Sequence, residues 1–189
     1  MGHRNHAQGK TSFGLMAAQF KLRDAMRPPA RILEEAGVRA GMTVLDLGCG
    51  PGPFSVAAAR LVGPAGTVYA LDTNPIAISS VRRAVERKRL YNIAAILGGE
   101  LLAIPPRSCD VALLHDVLHG LSDSLGTVAG VRRILRDDGV LVVGDHHMTD
   151  DRIVSEVTSG GLFTFSRRLA GFQDISCFEP VKAGVKQSQ

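Results

Sequence analysis

Short apolar runs and helix-like stretches take turns along this chain, and that alternation constrains the fold more than any other feature. Residues 43–47, 67–71, 93–97, 110–114 and 140–143 are brief and apolar, and each is followed by a turn. Between them, residues 53–62, 75–90 and 122–135 carry helix-like patterns, and 150–159 is a shorter helix. Strands that alternate with helices imply a parallel sheet covered on both faces. Residues 162–168 and 172–178 alternate apolar and polar side chains across a short link containing Gly171, the pattern of an antiparallel pair. The expectation is a doubly wound, mostly parallel α/β sheet. Its ligand would bind outside the carboxyl ends of the strands.

The 189 residues suit a single domain over 1–189. Residues 1–12 are polar and expected to be mobile. A helix over 13–36 is expected to break at Pro28-Pro29 and stop at Gly37. No apolar run approaches the ~18 residues of a membrane span. No apolar stretch follows Met1-Gly2-His3-Arg4, so no secretory signal is expected. Cys49, Cys109 and Cys177 are odd in number and widely spaced, with no zinc pattern. A reduced, cytoplasmic protein without disulfides is expected. The net charge is +4, with one basic cluster around Lys21–Arg31 and another at Arg82, Arg83, Arg87, Lys88 and Arg89. Such a face is more often solvated than a nucleic-acid footprint, and few aromatics lie nearby to stack on bases.

Gly48, Gly50 and Gly52 crowd the first strand-to-helix turn. Glycines there let a ligand approach bare backbone, and the following helix offers unpaired N–H groups. Asp72 ends the second strand, 20 residues beyond Gly52. A carboxylate so placed can accept both hydroxyls of a ribose. The spacing is GxGxG, not the GxGxxG that cradles a pyrophosphate. Asp46, two residues before the first glycine, would repel a pyrophosphate and suits a ligand with a cationic group.

The segment Val44-Leu45-Asp46-Leu47-Gly48-Cys49-Gly50-Pro51-Gly52 resembles the first motif of class I S-adenosylmethionine-dependent methyltransferases. Tyr69-Ala70-Leu71-Asp72 resembles their ribose-binding strand end, Cys109–Leu114 the fourth strand, Leu118-His119-Gly120-Leu121 the segment behind it, and 135–141 the approach to the fifth. The likeness covers about residues 25–180 and is nearest the quinone-biosynthesis and arsenite methyltransferase-like group. It implies a seven-stranded sheet with an antiparallel last strand and S-adenosylmethionine as cofactor. Asp46 would orient the ammonium, and Gly48, Cys49, Gly50 and Gly52 would pass the methionine part. Asp72 and Thr73 would hold the ribose, and Gly99, Glu100 and His115 would flank the rest. The family's acid after the third strand is replaced here by Gly98-Gly99, leaving Glu100 as the nearest one.

Methyl transfer needs mainly in-line positioning, and a hydroxyl nucleophile also benefits from a base. His115, Asp116, His119, His146 and His147 are the candidate bases; His115, His146 and His147 are taken as the catalytic residues, and His119 also fits a Leu-His pattern that is often structural. His115, Asp116, Asp145 and His146 raise the question of a cation, but no metal is assigned. No two cysteines look placed to share arsenic. The expected activity is methylation of a small-molecule acceptor, in a pocket left open or closed by a homodimer partner or the N-terminal helix. The alternatives are an RNA or protein methyltransferase and a non-catalytic cofactor-binding module.

Overall fold

The computed structural model describes residues 28–182 except Glu100. The expectations for 1–12, for the helix before Pro28, and for Glu100 lie outside the described residues.

The chain enters on α1 (Pro29–Ala36), with Pro28 as its cap and Pro29 at the first position, where the missing N–H costs nothing. Then follow β1 (Thr43–Leu47), α2 (Pro53–Val62), β2 (Thr67–Asp72), α3 (Pro75–Lys88) and β3 (Ile93–Leu97). A 3-10 turn (Leu101–Ala103) leads to β4 (Cys109–His115), and a second (Leu118–Gly120) leads to α4 (Ser124–Ile134). β5 (Leu135–Gly144), α5 (Asp150–Thr158), β6 (Phe163–Leu169) and β7 (Phe172–Pro180) complete the domain.

The seven strands form one sheet in the order β3-β2-β1-β4-β5-β7-β6. β1 to β5 pair in parallel, and β7 runs antiparallel to both β5 and β6. The chain winds outward from β1 to β3, then crosses back to place β4 on the other side of β1. Strand order reverses between β1 and β4, so a crevice opens at their carboxyl ends.

Alternation along β1 divides the core. Val44 faces one cluster with Leu33 of α1, Phe54 and Ala58 of α2, and Ile78 and Val81 of α3. Leu45 and Leu47 face the other, with Val128 and Val131 of α4, Ile153 and Val157 of α5, and Phe163 and Phe178. Each fully buried aliphatic or aromatic side chain contributes about 1.5–3 kcal/mol. Asp46 shares Val44's face, so a carboxyl stands where the period calls for an apolar side chain.

Two expectations needed adjustment. α3 stops at Lys88, two residues early, because Arg89 turns left-handed at φ 54°. Asp137-Asp138-Gly139 was expected as a turn before a strand at 140–143, but β5 already begins at Leu135. Leu135 pairs with Cys109, and pairing resumes at Val140 with Val111. Residues 136–138 bulge outward and are exposed. Asp137 there bonds Arg132 and pairs with Arg107. Gly139 lets the bulge close, since a Cβ would lie 3.0 Å from the Asp110 carbonyl. Edge strand β6 exposes five successive side chains, Arg167 and Arg168 among them, which discourages edge-to-edge pairing. Among the described residues, no helix is long and apolar enough to cross a membrane.

Candidate active site at the carboxyl ends of β1, β2, β4 and β5

The glycine turn is fastened to β2 by backbone bonds. Gly48 and Cys49 N–H groups both donate to the Leu71 carbonyl, at 2.8 and 2.9 Å. Gly48 has φ 71°, and a Cβ there would lie 2.2 Å from Val117 Cγ2. The segment after β4 therefore presses directly on the turn. Gly52, at φ 91°, caps α2, with Pro53 opening the helix. Cys49 lies buried between these glycines, and burial raises its thiol far above the ordinary range. That position makes it a packing residue, with only its backbone available to a ligand.

Asp72 stands half-buried at the tip of β2. Its Oδ2 accepts from Gly50 N–H at 2.8 Å, and its Oδ1 accepts from Asn74 N–H at 2.8 Å. Each oxygen keeps a second lone pair for an incoming hydroxyl. Asn74 in turn caps α3 by accepting from Ile76 N–H. Thr73 is exposed beside it, and a Cβ on Gly99 would lie 3.5 Å from its Cγ2. Gly99 also borders a cavity of about 340 Å³ lined by Leu101, Leu102, Leu121, Ser122 and Asp123 and floored by Gly126 and Gly130 of α4.

Asp46 is 3 % exposed, and its carboxylate accepts from the Ser55 hydroxyl of α2. Burial pushes its pKa up from 3.8 to about 6, partly offset by Ser55 and by the nearby His115 ring. The Ser55 hydroxyl and backbone N–H together with His115 offset only part of the cost of burying this anion. A cation brought to it would restore the charged form.

Histidines and acids interlock where β4 and β5 end. His115 Nδ1 lies 3.2 Å from Asp116 Oδ2, and its ring packs 4.7 Å from that of Phe54. Asp116 has φ 57°, an uncommon conformation for a side-chain-bearing residue, fixed by its N–H on the Gly144 carbonyl. Asp116 Oδ1 accepts from His146 N–H at 3.1 Å, and His146 Nδ1 is 2.5 Å from the same oxygen. Asp145, whose side chain is fully buried, accepts from His119 N–H and from His147 N–H, each at 3.0 Å. His119 Nδ1 lies 2.8 Å from Asp145 Oδ2. Burial would raise the Asp145 carboxyl, but these donors outweigh it and hold it below the ordinary value. The His119 and His147 rings lie 4.3 Å apart, and those of His147 and His146 3.9 Å apart.

The structure thus brings Asp46, Gly48, Cys49, Gly50, Gly52, Asp72, Thr73, Gly99 and His115 to one edge of the sheet. His146 and His147 lie on the same edge, one strand further along. Among the described residues, no three of His, Cys, Asp and Glu gather as a metal would require. Sequence reasoning missed Ser55, whose signal was a lone hydroxyl in the apolar run of α2. It listed His119 among the candidate bases but favoured a structural role for it. The Asp145 that grips it is 26 positions away, and no spacing rule announces such a pair.

Comparison with known proteins gives a consistent picture. The description "Methyltransferase domain" matches residues 39–167. A ribosomal protein L11 methyltransferase from Anoxybacillus flavithermus is 30% identical over 71% of this chain and 42% of its own length. A demethylmenaquinone methyltransferase from Geobacillus stearothermophilus is 24% identical over 74% of this chain and 60% of its own. The chain therefore spans only about half the length of these curated relatives. A SAM-dependent methyltransferase from Aquifex aeolicus superposes with a TM-score of 0.73 at 21% identity, covering 82% of this chain and 90% of that one. A putative S-adenosyl-L-methionine-dependent methyltransferase from Methanococcus maripaludis gives 0.79 at 16% identity, covering 100% of both. The matched span runs from the approach to β1 into β6 and takes in the glycine turn and both acid-bearing strand ends. By fold and by sequence, the chain belongs to the methyltransferase domain family.

Proposed function

We propose that the protein is an enzyme that moves a methyl group from S-adenosylmethionine to a small-molecule acceptor. The observation that carries this reading is the pairing of two carboxyls about the glycine turn. Asp46 is a buried acid whose neighbours do not offset the cost of burying its charge, and Asp72 is an acid at the neighbouring strand tip with acceptor capacity to spare. Together they suit a ligand with an ammonium at one end and a sugar diol further along. A pyrophosphate at this turn would meet the Asp46 charge.

Asp46 would hold the ammonium, with Ser55 fixing the carboxyl's orientation. The backbone at Gly48, Gly50 and Gly52 would lie along the methionine part. Asp72 would accept the ribose hydroxyls, and the base would run on past Thr73 toward Gly99 and the cavity beside it. The bound cofactor supplies a methyl on a positively charged sulfur and leaves as a neutral thioether. The protein's task is to align the acceptor and exclude competing water. The demethylmenaquinone methyltransferase likeness supports a small-molecule acceptor. The likeness to an L11 methyltransferase, with the exposed arginines of α3, supports a protein or RNA acceptor as the second reading.

Calorimetry with S-adenosylmethionine tests the cofactor assignment, and NADH should give no heat. Labelled-cofactor transfer into metabolite, protein and RNA fractions decides the acceptor class. Label confined to macromolecules would replace the first reading with the second.

A further inference from the structure

We propose that His119, oriented by Asp145, is the general base that removes a proton from the acceptor, and that the acceptor's nucleophile is therefore a hydroxyl. This rests on the methyl-transfer reading and singles out one of the candidate bases, for which sequence alone favours a structural role.

The geometry defines the ring's protonation. An ionised carboxylate only accepts hydrogen bonds, so His119 Nδ1, 2.8 Å from Asp145 Oδ2, carries the proton. Among the described residues, none takes the Nε2 lone pair. Asp145 is itself held in place, since its Oδ2 also accepts from the His119 backbone N–H and its Oδ1 from His147 N–H, so a turned ring would forfeit the Nδ1 bond. Asp145 is wholly buried while the His119 side chain is 36 % exposed, so a fixed anion lies behind the ring and an open edge in front. Val117, two residues before His119, packs on Gly48 and ties this segment to the glycine turn. His146 has a similar link to Asp116, but its side chain is 55 % exposed. His119 has the better-anchored ring.

A thiolate or arsenic nucleophile would need no such arrangement, whereas a neutral hydroxyl gains from a positioned base. The acceptor oxygen bonds to the methyl carbon as the carbon–sulfur bond breaks, and that bond's electron pair stays on the thioether sulfur. The hydroxyl proton passes to His119 Nε2. Asp145 stabilises the resulting imidazolium, which returns its proton to water through the exposed edge. Among the described residues, Asp145 and His147 contact the ring. His147 packs on His146, and Asp116 joins His146 to His115.

S-adenosylhomocysteine, the demethylated product, is the probe. A crystal structure of the full chain with this product gives the distance from its sulfur to His119 Nε2. Summing a bond, a near-attack contact and a hydrogen bond places Nε2 within about 8 Å of the sulfur. Nitrogen-15 histidine spectra of the same complex are expected to show His119 protonated on Nδ1 and bare on Nε2 when neutral. Asp145→Asn and His119→Gln should both bind the product within threefold of wild type. His119→Gln keeps the measurement available if the Asn variant folds poorly. A sulfur well beyond 8 Å, or a neutral ring carrying its proton on Nε2, would overturn the proposal while leaving the methyl-transfer reading intact. Failure of the wild-type chain to bind the product at all would remove both.

Discussion

At the scale of single residues, Asp46 holds the main tension between stability and function. Its pKa is about 6 in the fold against 3.8 when free, so the folded chain binds a proton more tightly than the unfolded chain does. Stability therefore falls as pH rises from about 4 to about 6, and the full cost, on the order of 3 kcal/mol, is present above that window. Asp46→Asn keeps an acceptor for Ser55 and removes the charge. Urea unfolding at pH 7.5 should show the variant more stable by up to about 3 kcal/mol, with the gain vanishing near pH 4. The same variant should bind S-adenosylmethionine at least tenfold more weakly in calorimetry. For the wild type, an ammonium ligand requires the carboxylate, so affinity should fall as pH drops below 6. Asp145 has the opposite sign: its carboxyl is held low, so its contribution is present above its ordinary value of 3.8 and lost in more acidic solution. Asp72→Ala removes a charged acceptor and should weaken cofactor binding about ten- to a hundredfold. An unchanged dissociation constant would take Asp72 out of the site.

At the scale of elements, the strand-to-helix turn after β1 and the segment after β4 act as one unit through the Gly48–Val117 contact. Gly48→Ala would impose a Cβ at φ 71° and 2.2 Å from a valine methyl. The expected loss is about 1–3 kcal/mol of stability together with cofactor affinity. Val117→Ala in the same chain relieves the collision but leaves the backbone strain. A double-mutant cycle by denaturation should therefore recover part of the loss, and fully additive losses would mean the two elements are not coupled. The bulge in β5 shows how an element departs from its local signals. Asp137-Asp138-Gly139 has turn composition, but Leu135 is wholly buried against β4 and draws the strand's start back before it.

At the scale of the whole molecule, the site is shared by four strands and by none alone. Asp46 comes from β1, Asp72 from β2, His115 from β4, and Asp145 lies at the end of β5. A ligand spanning them ties both halves of the sheet together. S-adenosylmethionine at a hundred times its dissociation constant should add about 2.7 kcal/mol to stability. For a domain of this size, that is a rise in Tm of several degrees, measurable by scanning calorimetry. Asp46→Asn should lose about half of the rise or more at the same ligand concentration, although its ligand-free Tm should be higher.

Strand and helix positions were legible because side-chain periodicity reports them locally. The glycine turn and Asp72 were legible because bare backbone and a terminal acid are needed at fixed distances along one strand–helix–strand unit. The partners within the site were not. Ser55 on Asp46, Asp116 beneath His146 and Asp145 behind His119 depend on which strands lie side by side and in what register. Parallel neighbours are joined through crossover helices, so their registers leave no mark on local spacing. The amino-acid order by itself determined a wound sheet with a crevice for a cationic nucleoside. Only the packing of β4 against β5 decided which imidazole has a buried carboxylate behind it, because that pairing exists only once the sheet has closed.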